Sequence, residues 1–214
     1  MIFGDTLRCE TALGALLRTG ASVRATIQAM ENKTDSAFIA ASIDDPERFG
    51  ILFDRHATVV FRYLVRRVGV DEADPLLGEV FRVAFERRCG YDFDRDNARP
   101  WLYGIATNLL AHHRRGEARR VRAMGRLLGG RLPPDDPIEA VVSAIDAETL
   151  WHEVAHAVAL LPDAERDALV LYVWEELSYD QIAIALGVPV GTVRSRLNRA
   201  RTRLRELDKA CGRQ

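Results

Sequence analysis

Two stretches of this 214-residue sequence hold residue types at spacings that chemistry can use. The first is His152-Glu153-Val154-Ala155-His156. On a helix, two histidines four positions apart share a face and can ligate zinc, with the intervening glutamate as general base. Glu176 and Asp180 follow downstream as further oxygen donors. The second is the run from Thr192 to Arg205, with arginines at 194, 196, 199, 201, 203 and 205 and no acid among them. Guanidinium groups fork onto guanine edges and phosphates, and Ser195, Asn198 and Thr202 extend the same polar surface.

The elements that would carry these residues decide between them. A zinc peptidase needs a cleft, and no alternating strand pattern supplies a sheet to build one. Trp151, Val154, Ala155, Val158 and Leu161 need the helix around the histidines for packing, so a surface histidine pair is the simpler interpretation. No Ser/His/Asp set, Walker loop or dinucleotide fingerprint occurs. The arginines have stronger context. Val193, Leu197, Ala200 and Leu204 step by four, three and four, one buried seam. That seam splits the arginines, with Arg196, Arg199 and Arg203 on one side and Arg194, Arg201 and Arg205 on the other. Upstream, Ser178 is a candidate N-cap for a short helix whose Ile182, Ala183 and Leu186 face inward. Gly187 suits the left-handed position that ends it, and Thr192 helps to start the next helix. A short helix, a tight glycine turn and a polar helix make a helix-turn-helix. A solvated charged face is the plain alternative, but an arginine excess this one-sided behind such a turn favours nucleic acid.

A second basic cluster, residues 112–126, has six arginines against one acid, Glu117. It follows Trp101, Tyr103 and Asn108 on one helical pattern. Basic residues near aromatics suit single-stranded or melted DNA, although Trp101 taken alone reads as core. These clusters are hidden in a formal net charge of −1. Cys9, Cys89 and Cys211 form neither a disulfide framework nor a metal spacing, which fits a reducing cytoplasm. No apolar run reaches the ~20 residues of a membrane span. Residues 1–29 do not read as a signal peptide. Met30 looks like a natural start, leaving residues 1–29 as an upstream extension or an added arm.

The expected fold is all-α, two small helical domains joined by a flexible linker, the second containing the helix-turn-helix. A helix over 45–68 has Asp44 as N-cap, Pro46 in its first turn and an apolar face of Phe49, Leu52, Phe53, Val60, Leu64 and Val68. A second over 74–88 has Asp74 as cap and Pro75 at the first position, with Leu77, Val80, Phe81, Ala84 and Phe85 inward. Residues 89–98 read as a loop, and Pro100 opens a third helix. The glycines, prolines and acids of 126–137 break the chain. Helices over 146–160 and 163–175 then precede the helix-turn-helix, with Leu169, Leu171, Tyr172 and Trp174 available for a small core.

In this order the segments resemble the extracytoplasmic-function (ECF) sigma factors of bacterial RNA polymerase. Leu76–Phe85 is similar to the family's polymerase-binding helix, and Arg99–Arg115 to its promoter-melting helix. Residues 161–206, with "LSYDQIA" and "GTVRSRLNRAR", are similar to its minus-thirty-five-reading domain almost from end to end. The resemblance implies four segments: an N-terminal extension at 1–43, with disorder as one option; sigma region 2 at 44–118; a linker at 119–145; and sigma region 4 at 146–214. It implies core-polymerase contacts at Leu76, Leu77, Glu79, Val80 and Phe81. It places minus-ten contacts at Asn108, His112, Arg114 and Arg115, with a flipped base received by the 89–98 loop. Minus-thirty-five contacts fall at Thr192, Arg194, Ser195, Arg196 and Arg199. Asp135 and Asp136 of the linker would mimic nucleic-acid charge near the RNA-exit path. Pro75 and Gly78 stand where the family usually has Asp and Gln. The implied partners are core RNA polymerase, promoter DNA and, as is common in the family, an anti-sigma factor; no cofactor, catalytic residue or membrane is implied. A stand-alone helix-turn-helix regulator that never joins polymerase is the nearest rival.

Overall fold

The computed structural model describes residues 33–127 and 156–210. Their regular elements are all helical: α1 (Asp35–Asp44), a 3-10 turn (Pro46–Phe49), α2 (Gly50–Val68), α3 (Val70–Arg87), a second 3-10 turn (Arg88–Gly90), α4 (Arg99–Leu127), α5 (Asp163–Val173), α6 (Tyr179–Leu186) and α7 (Val190–Ala210). The all-α expectation holds. No helix of the described residues is long and apolar enough to cross a membrane.

Helices α2, α3 and α4 pack together as a first body. Leu52, Val60 and Leu64 of α2, Val80 and Ala84 of α3, and Leu102 and Leu110 of α4 are all buried at its centre. Each large side chain so buried contributes roughly 1.5–3 kcal/mol by leaving water. Phe53 departs from its expected place. It stays 41% exposed and leans edge-on against Phe81, 4.8 Å between ring centres, because it sits one position round the helix from the buried Leu52.

The sequence expectations for the starts of α2 and α3 are corrected. Asp44 does not cap α2 but ends α1, and Pro46 opens the intervening 3-10 turn. Asp74 does not cap α3 and Pro75 lies inside it, because the helix already begins at Val70. The break falls instead at Gly69, whose φ of 82° is the left-handed region that glycine enters without a Cβ penalty. The first body also begins earlier than residue 44. Thr34 caps α1, its hydroxyl accepting the Ala37 N–H, and α1 buries Phe38 and Ile39. At the other end α4 runs to Leu127, past the expected boundary at 118. Most of the expected linker, with Asp135 and Asp136, lies outside the described residues.

The second body is α5, α6 and α7 around Leu171, Ile182, Val193, Leu197 and Ala200. Its helix-turn-helix forms as the local sequence dictates. Ser178 accepts the Gln181 N–H at 3.2 Å while the Gln181 side chain accepts the Ser178 N–H at 2.9 Å, a complete capping box. Gly187 closes α6 at φ 61°, and the Val188 N–H reaches back to the Ala183 carbonyl. The Pro189 carbonyl takes the Thr192 and Val193 N–H groups, so α7 starts before Thr192. Ser178→Ala is expected to cost about 1 kcal/mol through the lost cap, read as a lower urea midpoint with unchanged slope.

The two bodies are docked. Helix α4 of the first lies against α6 of the second, and their buried side chains form one continuous core.

Candidate nucleic-acid interface

Helix α4 carries the first basic surface. A helix turns 100° per residue, so Asn108, His112 and Arg115 fall on one stripe, continued by Arg119 and preceded by Trp101. Asn108, His112, Arg115 and Arg119 are exposed, and the single acid of this segment, Glu117, falls on the opposite side. Arg114 is not on the stripe. It points towards α5, meeting Asp163 at 2.5 Å and Asp167 at 3.7 Å. The resemblance groups four residues that the helical period separates into three and one.

Above the stripe lies the loop that precedes α4. Gly90, Tyr91, Asp92 and Trp101 help to line a cavity of about 460 Å3, within the roughly 300–1,000 Å3 of small-ligand pockets. Tyr91 sits edge-on to Trp101 at 5.0 Å and to Phe93 at 5.7 Å. Burial pushes the Tyr91 phenol up to about 12, so it remains a neutral hydrogen-bond donor, given to the Arg95 carbonyl at 2.6 Å. Gln181 and Ile184 of α6 close one side of the cavity.

Docking is close here. A Cβ built on Gly104 would lie 2.6 Å from the Ala185 carbonyl oxygen, so only glycine lets α4 and α6 approach this far. Charged groups surround that contact. The Glu175 carboxylate, 5% exposed, accepts from Arg66 Nη1 at 3.0 Å and from the Tyr103 hydroxyl. Arg99 donates to its backbone carbonyl at 3.3 Å. Asp167 pairs with Arg67. Burial and the Glu175 hydrogen bond raise the Tyr103 phenol well above its ordinary value. Among the described residues, Arg67 Nη1 and Arg114 Nε find no acceptor. The docked face therefore joins close backbone packing to buried ion pairs.

The second basic surface is α7. Val193, Leu197 and Ala200 are fully buried and Leu204 half-buried, so the expected seam is the observed one. Arg194, Ser195 and Asn198 are exposed, and Thr192 and Arg196 half-buried. Ser195 donates to the Thr192 carbonyl at 2.9 Å. Sequence reasoning missed Glu165, buried on α5, whose two oxygens meet Arg199 at 3.1 Å and Arg203 at 3.0 Å. No local signal marks an acid 34 residues from Arg199 as its partner. Arg201 lies over the Tyr172 ring at 5.4 Å.

Of the residues expected to meet polymerase, Val80 and Phe81 are inside the first core, while Leu76, Leu77 and Glu79 are partly exposed. Glu79 pairs with Arg82 at 2.5 Å, and Arg82 also meets Glu86, making a charged ladder on the outer face of α3. The Arg82 hydrogen bond holds the Glu79 carboxyl below its ordinary value. Pro75 and Gly78 are exposed. Of the histidine motif, His156 is described and exposed; His152 and Glu153 lie outside the described residues. Among the described residues no group of three His, Cys, Asp or Glu side chains could hold a metal ion.

Comparison with known proteins gives one family twice. Residues 52–120 match Sigma-70 region 2 and residues 151–204 match Sigma-70, region 4. The ECF RNA polymerase sigma factor SigW of Bacillus subtilis is 30% identical over 172 residues, 76% of this chain and 89% of that one. The probable RNA polymerase sigma-C factor of Mycobacterium bovis is 36% identical over 145 residues, 68% of this chain and 75% of that one. The sigma factor RpoE of Bartonella quintana, solved in complex with the anti-sigma factor NepR, shares the fold with a TM-score of 0.57 at 22% identity, covering 75% of this chain and 96% of that one.

Proposed function

Since this chain belongs to the ECF sigma factors, transcription initiation factors that bind core RNA polymerase and direct it to specific promoters, we propose how its residues divide that work. The outer face of α3 meets polymerase through Leu76, Leu77 and Glu79, with Val80 and Phe81 holding the helix on the body beneath. The 89–98 loop and its cavity receive an unstacked minus-ten base, and Asn108, His112 and Arg115 follow the melted strand. Helix α7 enters the minus-thirty-five major groove with Arg194, Ser195 and Arg196 nearest the bases. Thr192 and the helix N-terminus lie by phosphate, and Arg199 and Arg203 are braced by Glu165. The observation that carries this is the acid-free stripe on α4 running from the cavity wall, Trp101, to Arg119, a track with an aromatic start and a cationic continuation.

The docked arrangement is then a closed form. Helix α6 covers Gly104 and one side of the base cavity, and Arg114, off the stripe, is held by Asp163 and Asp167. Promoter opening requires the bodies to part, which frees Arg114 for the backbone. A partner gripping both bodies would keep the form closed, a role suited to an anti-sigma factor. The chain makes and breaks no bond itself, needs no cofactor, and works in the cytoplasm where polymerase and DNA are.

The residue roles are tested on a cognate promoter with the polymerase holoenzyme. Arg196→Ala is expected to weaken binding by about 1–3 kcal/mol and relax preference at one minus-thirty-five step, with minus-ten preference intact. A selected-sequence profile identical to that of the unaltered chain would remove Arg196 from the base-reading set.

A further inference from the structure

The cavity-forming loop is held from outside the family-matched segment. Helix α1 precedes residue 52, where the Sigma-70 region 2 match begins, yet it grips the loop at both ends. At the exit, the Asp35 N–H donates to the Asp96 carbonyl at 2.9 Å, and the Asp35 carboxylate accepts the Ala98 N–H at 2.9 Å. Ser36 donates to the Asp96 carboxylate at 3.4 Å. At the entry, Arg88 Nε donates to the Ser42 carbonyl at 3.2 Å, at the other end of α1. The bracket is itself anchored. His56 Nε2 lies 2.7 Å from Asp35 Oδ2, and Arg55 Nη1 donates to Asp35 Oδ1 at 3.2 Å.

Asp35 is a costly residue to bury. Its side chain is 8% exposed. Burial alone would raise its carboxyl, but the His56, Ala98 and Arg55 contacts outweigh that and hold it below its ordinary value. Helix packing would be met by Phe38 and Ile39 alone. A buried carboxylate spending contacts on Asp96 and Ala98 acts on the loop, whose other stabilising bonds are internal: Arg95 to Asp92 at 2.6 Å and Tyr91 to the Arg95 carbonyl. The Ala98 N–H is also the point where the loop turns into α4, since the Ala98 carbonyl accepts the first helical bond from Leu102. Asp35 therefore fixes where the cavity ends and the α4 stripe begins.

We propose that α1 is a positioning bracket for the minus-ten pocket, with Asp35 holding the loop exit, Arg88 the entry, and the span between them setting the pocket's shape and hence its discrimination between bases. This rests on the minus-ten role of the loop proposed above. Asp35 touches no DNA; it acts through the Asp96 and Ala98 backbone.

The test uses the full chain with core polymerase and single-stranded minus-ten oligonucleotides that differ at one base, beside a minus-thirty-five duplex. The unaltered holoenzyme should discriminate among the oligonucleotides. Asp35→Ala should cut that discrimination about tenfold, the scale of a lost buried hydrogen bond to a charged group, while duplex affinity and polymerase affinity stay unchanged. Asp35→Asn, which still accepts the Ala98 N–H, should recover most of it. Arg88→Met should lower discrimination from the other end, and stands alone as the test if Asp35→Ala does not fold. A folded Asp35→Ala or Arg88→Met chain with full discrimination overturns the bracket. An unaltered holoenzyme that ignores the base changes overturns the minus-ten role itself, which is a separate result.

Discussion

Gly104→Ala is expected to open the molecule. The added methyl would meet the Ala185 carbonyl oxygen at 2.6 Å, with the Ala185 carbonyl carbon at 3.3 Å and Cα at 3.4 Å behind it. All three are backbone atoms, so no rotamer change relieves the clash and α6 must move away as a unit. Within its own body the substitution is benign or helpful, because alanine in a helix interior is favoured over glycine by about 1 kcal/mol. Undocking and unfolding are thus pulled in opposite directions. The expected outcome is a larger radius of gyration by small-angle scattering and faster amide exchange in α6, with no loss of thermal stability in the first body. Promoter opening with core polymerase should accelerate, because α6 no longer covers the base cavity. A compact Gly104→Ala chain with α6 still protected would show that the glycine contact does not hold the bodies together.

Asp167→Ala should open it by a different force. Asp167 is the acid for Arg67, whose side chain is 4% exposed, and lies near Arg114, 17% exposed. Removing one partner of a buried pair typically costs about 3–5 kcal/mol, because the other charge is left without compensation. That cost falls on the docked form alone. Once the bodies part, Arg67 and Arg114 can reach water, so the chain should open instead of unfolding. At a factor of ten for each ~1.4 kcal/mol, the closed-to-open ratio should fall by roughly a hundredfold or more. Asp163→Ala is the control. Asp163 also pairs with Arg114, but at 65% exposure such a pair contributes only about 0–1 kcal/mol. Equal effects from the two substitutions would mean that burial does not govern the latch.

What the sequence made legible was local. Ser178, Gln181 and Gly187 sit within one short helix and its ends, and the four-three-four seam of Val193, Leu197 and Ala200 needs only the helical period. The helix-turn-helix could therefore be read without a partner in view. Helix ends marked by proline were less secure. Pro75 is tolerated inside α3 because it lies at the exposed surface near the helix start, while the break was set by a glycine. The inaccessible part was long-range. Glu165 beneath Arg199, Glu175 beneath Tyr103 and Arg66, and Asp35 beneath Ala98 join residues 34 to 109 positions apart. Each is an acid that reads in sequence as ordinary surface charge.

The most direct measurement is reconstituted transcription. Purified core polymerase and this chain are mixed on DNA that co-purifies with the complex, and run-off product is measured across a salt series. A promoter-directing sigma factor gives a discrete transcript only when both proteins are present, and the transcript weakens steeply as salt rises, because phosphate contacts dominate binding. Tight binding of the chain to its DNA without polymerase, together with no transcript when core enzyme is added, would contradict that function and leave a stand-alone helix-turn-helix regulator.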